Sequence, residues 1–164
     1  MGDSTLIAWS QRTWNPWRGC TKISPGCAHC YMFSAQERFG RDPAVVVRTG
    51  TWGQPLKWER QAAAAGRLER VFTCSWSDWF HADADDWRDE AWAVIKRCPH
   101  LQFQILTKRQ ERIVAHLPAD WGDADAARRY AQQYAYWGPP YWGPAFWGYG
   151  SCWPYRRAAR FGCW

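Results

Sequence analysis

Short apolar runs alternate with amphipathic stretches along residues 1–120. LIAW (6–9), RVFTCSW (70–76) and LQFQILTKR (101–109) predict three strands. DADDWRDEAWAVIKRC (83–98) predicts the clearest helix. Its apolar residues Trp87, Ala91, Val94, Ile95 and Cys98 share one face, Asp83 or Asp85 can cap it, and Pro99 stops it. CYMFSAQERFG (30–40) predicts a helix that begins at Cys30 and ends at Gly40. DPAVVVRTGTW (42–52) reads as extended and turn-like, and QPLKWERQAAAAGRLE (54–69) as a helix interrupted near Gly66. RQERIVAHL (109–117) predicts a short last helix closed by Pro118.

This alternation predicts an α/β fold with about three parallel strands and right-handed crossovers. Active sites of such folds lie at the carboxyl ends of the strands. Three segments should meet there: the loop before Cys30, SWSDWFH (75–81), and TKR (107–109). The pattern breaks after residue 121. YWGPPYWGPAFWGYGSCWPY (136–155) keeps neither a helical nor a strand period, and its Pro and Gly block regular elements. Residues 1–121 are therefore expected to form the β/α domain and 122–164 an irregular tail.

The loop RGCTKISPGCAHCYMF carries Cys20, Cys27 and Cys30 in the spacing C-x6-C-x2-C. The chain has seven cysteines, an odd count that disfavours a closed disulfide set. No basic leader with an apolar core opens the sequence, and no run approaches the roughly 18 apolar residues of a membrane span. The expected setting is the cytoplasm, where thiols stay reduced and clustered cysteines indicate metal or redox chemistry. A structural zinc ion wants four protein donors. The fourth would come from His29, His81, Cys74 or Cys98. His29 is hemmed between two ligands, while Cys74, within a strand, and Cys98, on the helix's apolar face, read as buried thiols. Three thiolates suit a [4Fe-4S] cluster with one open iron, and the amino end of the following helix favours anionic sulfur there. Iron–sulfur is the preferred reading.

The net charge of +6 is spread along the chain rather than run together. It fits a solvated basic face or a mild nucleic-acid interface. The fifteen Trp add a second hint, since an aromatic Gly-rich tail can stack on bases. A zinc-stabilised nucleic-acid-binding module is thus the alternative function. Near the strand ends, Asp78 reads as a pocket acceptor or a turn cap, with Ser75 and Ser77 as weaker pocket candidates. His81 reads as a solvated histidine at a helix start. Lys108 and Arg109 could hold a carboxylate or phosphate, or open the next helix in solvent. Asn15 before Pro16 suggests a turn, and Trp14 and Trp17 packing beneath the cysteine loop.

TWNPWRGCTKISPGCAHCYM, WGQPLKWER, RVFTCSWSDWFHAD and QFQILTKRQERI occur in this order. The set resembles a phage- and mobile-element-encoded family with a three-cysteine motif, similar to radical S-adenosylmethionine (radical SAM) enzymes. It covers roughly residues 7–122. The resemblance implies a partial (β/α)6 barrel, of which this chain would hold the N-terminal half. It also implies a [4Fe-4S] cluster that reductively cleaves S-adenosyl-L-methionine to a 5′-deoxyadenosyl radical. Cys20, Cys27 and Cys30 would be the cluster ligands, with Ser75, Asp78 and Lys108 as candidates toward S-adenosyl-L-methionine. The family's later strand–helix units are expected soon after ADWGD (119–123), where this chain turns to Trp, Gly, Pro and Arg. That change predicts a frame shift near residues 121–125 and a truncated member whose catalytic competence is open. The half-sheet would expose an edge that invites a partner protein or self-association.

Overall fold

The computed structural model describes residues 5–118 and 159–163. Its first elements are β1 (Arg12–Trp14), β2 (Trp17–Arg18), α1 (Tyr31–Arg38), β3 (Val47–Arg48) and α2 (Gln54–Ala64). There follow β4 (Glu69–Thr73), α3 (Asp85–Lys96), β5 (Leu101–Thr107), α4 (Ile113–His116) and β6 (Ala159–Cys163). The sheet runs β1-β4-β5-β6 with every neighbouring pair parallel, while β2 and β3 form a separate antiparallel pair. The α/β class and the parallel β1-β4-β5 core agree with the alternation read from the sequence.

β5 shows why the sheet is two-faced. Leu101, Phe103, Ile105 and Thr107 are buried, and Gln102, Gln104 and Leu106 between them are half-buried. The buried face packs with Trp58 and Ala62 of α2 and Ala91, Trp92, Val94 and Ile95 of α3. Trp14, Trp17, Trp79 and Trp92 continue this core toward the carboxyl ends, with Trp17–Trp79 and Trp79–Trp92 ring centroids each 4.8 Å apart. Trp14 and Trp17 therefore pack as expected.

The first strand lies later than LIAW suggests. Leu6 is fully exposed, and residues 6–9 form no strand. Ser10 is buried instead. Its hydroxyl lies 2.8 Å from the Arg12 carbonyl and accepts from the Phe72 N–H at 2.9 Å. This staple sets Arg12–Trp14 level with Val71–Thr73. Apolar content misled because an edge strand of three residues needs only one buried side chain, Trp14.

Helix α3 buries Ala91, Val94 and Ile95 as its period requires, but also Arg88 and Trp92. Neither Asp83 nor Asp85 caps it. A 3-10 turn, Ala82–Ala84, precedes it, and His81 caps that turn by accepting the Asp83 N–H at its ring. Cys98 is a core thiol, donating to the Val94 carbonyl at 3.2 Å. Burial pushes its pKa up to about 12, with the nearby Glu59 charge adding to the effect.

Residues 159–163 correct the expectation that the tail holds no regular element, since they pair parallel to β5 from Phe103↔Ala159 to Thr107↔Cys163. That stretch lacks the Pro that interrupts residues 136–155. The suggested frame shift at 121–125, the base-stacking Trp/Gly/Pro stretch and Cys152 lie outside the described residues. Among the described residues, no helix is long and apolar enough to cross a membrane.

Candidate metal centre

The strands β1, β4 and β5 end at Trp14, Thr73 and Thr107, and two buried side chains tie these ends together. Asn15, fully buried just past β1, accepts the Trp76 N–H at 2.9 Å and bonds the Ser75 hydroxyl at 3.0 Å through its amide nitrogen. It stitches β1 to the segment after β4 and is not merely a turn residue. Asp78 performs the same task between β4 and β5. Its carboxylate accepts from the Thr107 hydroxyl at 2.7 Å, the Lys108 N–H at 2.8 Å and the Phe80 N–H at 2.9 Å. Arg109 completes its shell at 3.3 Å. With these partners Asp78 is an internal brace, and it does not face an open pocket as a free acceptor.

The cysteine loop hangs from this frame. Gly19 donates to the Trp76 carbonyl at 2.9 Å, and Ser77 donates to the Gly19 carbonyl at 2.6 Å. Gly19 has φ +92°, and a Cβ there would lie 2.1 Å from the Val45 carbonyl oxygen, so only glycine fits. Cys20 donates its N–H to the Pro43 carbonyl at 2.8 Å. A 3-10 turn, Pro25–Cys27, follows, and Cys30 takes the position just before α1.

Two cations of the TKR segment reach the thiols. Arg109 Nη1 lies 3.6 Å from Cys20 Sγ, and its Nη2 donates to the Thr21 carbonyl and hydroxyl at 3.0 and 2.9 Å. Lys108 Nζ donates to the Gly26 carbonyl at 2.7 Å and lies 3.7 Å from Cys27 Sγ. Burial raises the Cys20 pKa despite Arg109. Burial also acts to raise that of Cys27, but hydrogen bonds from Ser24 and the Ile23 and Ser24 backbone, with the Lys108 charge, outweigh it and bring it down to about 7. His81 is buried rather than solvated. Since its Nδ1 accepts from Asp83, its Nε2 carries the proton and donates to Thr21 Oγ1 at 3.0 Å. Burial, then the Arg109 charge, lowers its pKa and keeps it neutral. Cys74 follows β4 rather than lying within it, at φ +62°, buried, with its pKa raised well above the ordinary value chiefly by burial.

Beside the loop opens a cavity of about 640 Å³. Thr13, Asn15, Tyr31, Phe72, Ser75, Trp76 and Leu106 line it together with the segment Thr5–Trp9. Ser75 therefore does face open space, and Tyr31, next to Cys30, donates to the Ser75 carbonyl at 2.9 Å.

A family model described as "protein of unknown function (DUF5131)" matches residues 4–152. The chain belongs to this family. No curated protein matches the DUF5131 chain, and no solved structure matches it. The family match begins before β1 and spans the cysteine loop, Asn15, Asp78 and the TKR segment, so the whole frame around the thiols lies within it.

Among the described residues of this DUF5131 member, no three His, Cys, Asp or Glu side chains gather as a ligand set for one metal ion. His29 is exposed, His81 spends both ring nitrogens on protein partners, and Cys98 belongs to the core. A single zinc ion needs its donors around one point. A cubane cluster is larger and accepts three thiolates with one iron open. Cys20, Cys27 and Cys30 do not form such a group either, so their arrangement here favours neither the zinc ion nor the cluster.

Sequence reasoning placed the cysteines, Ser75, Asp78 and Lys108 together. It read Asn15 as a turn, His81 as solvated and Thr21 not at all. The usable signal was an Asx residue directly after one strand and shortly after another, as in TWNP and CSWSDW.

Proposed function

We propose that this protein is an iron–sulfur protein of the radical SAM type. Cys20, Cys27 and Cys30 would hold a [4Fe-4S] cluster through their sulfur atoms. One observation carries the reading: a three-thiol loop sits at the carboxyl end of a parallel sheet, with lysine and arginine contacting two of the thiols. When bound, such a cluster supplies one-electron reduction of S-adenosyl-L-methionine. The chain's own residues do the rest. Asn15 and Asp78 hold the strand ends in register, Gly19 seats the loop, and Lys108 and Arg109 offset the negative charge of thiolate sulfur. The cavity beside Tyr31 and Ser75 supports the reading as a site that S-adenosyl-L-methionine or substrate would enter near Cys30, since its neutral polar and aromatic lining suits an organic ligand. Closure of the sheet toward a partial barrel belongs to the same proposal.

Anaerobic reconstitution with iron and sulfide tests the reading. Wild-type protein should bind iron and sulfide and turn brown, and the Cys20→Ala, Cys27→Ala and Cys30→Ala variants should each lose the cluster. Iron uptake unchanged in all three would overturn the assignment.

A further inference from the structure

We propose that Lys108 and Arg109 form a two-pronged clamp that sets the shape of the cysteine loop before any metal arrives. The proposal deepens the iron–sulfur reading of the same loop and rests on it for its purpose, but not for its geometry. The two residues are adjacent and directly follow β5, yet they grip opposite ends of the loop. Arg109 holds Cys20 and Thr21 at its start, and Lys108 holds Gly26 and Cys27 at its end. Between these grips Lys22, Ile23, Ser24 and Pro25 are exposed. The loop's internal support there is a few short-range hydrogen bonds: Cys27 donates to the Ser24 carbonyl and Ala28 to the Pro25 carbonyl, and the Cys27 thiol meets the Ser24 hydroxyl at 3.5 Å. A segment of this kind has little apolar burial to offset its ordering entropy, so its shape must come from outside.

The prongs are themselves fixed. Arg109 is only 6 % exposed, and Asp78 anchors it at 3.3 Å. The same carboxylate accepts the Lys108 N–H, and Thr107 Oγ1 accepts the Arg109 N–H at 2.9 Å. The end of β5 is thus a braced platform from which both side chains project toward thiol sulfur. Both are positioning residues. They act through Cys20 and Cys27, and their positive charge would also favour the more negative, reduced form of a cluster if one is held there.

Hydrogen exchange on the metal-free, full-length protein tests the clamp without any cluster. In wild type, peptides covering residues 19–30 should exchange slowly. Lys108→Met should speed exchange at the Gly26–Cys27 end by about tenfold or more while α3 is unchanged. Arg109→Met should do the same at the Cys20–Thr21 end, and Arg109→Lys should restore it only in part, because an ammonium lacks the fork that spans Sγ and Thr21. Lys108 is only half-buried, so its variant stays informative even if Arg109→Met fails to fold. Equal exchange in wild type and Lys108→Met overturns the clamp. After reconstitution, Lys108→Met should hold less cluster at a more negative midpoint potential, and unchanged content and potential would also overturn it. A wild-type protein that takes up no iron defeats the iron–sulfur reading alone, since the exchange comparison still decides the clamp.

Discussion

Asp78 concentrates more of the site in one side chain than any cysteine does. Its carboxylate meets Thr107, Lys108, Phe80 and Arg109 while only 6 % exposed. Removing its charge leaves Arg109 buried without a counter-charge. Asp78→Asn should therefore cost about 3–5 kcal/mol in urea unfolding, although Asn is nearly isosteric. A cost below about 1 kcal/mol would mean that Asp78 is a solvated turn residue. His81 gives the matching pH prediction. Its folded pKa lies below the ordinary value of about 6.5, so the fold favours the neutral ring. The stability it contributes is complete above about pH 6.5 and is lost as pH falls through the lower folded value. The melting temperature should drop on acidification below about pH 6.5, and His81→Gln should make that drop smaller. These residues were hard to read from sequence because their partners lie far away in the chain. Asn15 and Ser75 are 60 positions apart, and no periodicity records such a pair. The cysteines were legible because three of one residue type within eleven positions stand out locally.

Elements were legible where their apolar period alone dictates burial. β4, β5 and α3 fall close to the spans that the pattern predicts. β1 was not, because a short edge strand is defined by backbone pairing to β4 rather than by its own side chains. Arg88 within α3 was missed because a charged residue on a helix ordinarily faces water. Here its guanidinium donates to the Trp79 carbonyl at 3.0 Å and the His81 carbonyl at 2.7 Å, and it also pairs with Asp85. Arg112 reaches the Phe80 carbonyl at 2.9 Å and the same Asp85 at 2.6 Å. The two arginines thus pin the segment that carries Asp78 and His81. Two predictions belong to this scale. Trp92→Ala removes a buried ring that meets Trp79 and Phe80, and should cost about 3–5 kcal/mol in chemical denaturation. Gly19→Ala drives a Cβ into the Val45 carbonyl at a left-handed backbone angle. It should unseat the cysteine loop and abolish iron uptake, and wild-type iron content in this variant would contradict the geometry given for the loop.

At the scale of the molecule, a parallel sheet carries helices on one face and a cavity on the other, with the cysteine loop at its carboxyl end. β6 occupies the edge of β5 that the three-strand reading left open. Phe161→Pro removes a strand N–H and should expose that edge, raising light scattering on concentration relative to wild type. This frame is proposed to present three thiolates to an iron–sulfur cluster. The most direct test of that proposal is metal and sulfide analysis of the anaerobically purified protein, alongside the variant with Cys20, Cys27 and Cys30 all changed to Ala. The wild-type protein should be brown with matching iron and acid-labile sulfide, and the variant colourless but still folded. A colourless wild-type protein carrying stoichiometric zinc would contradict it.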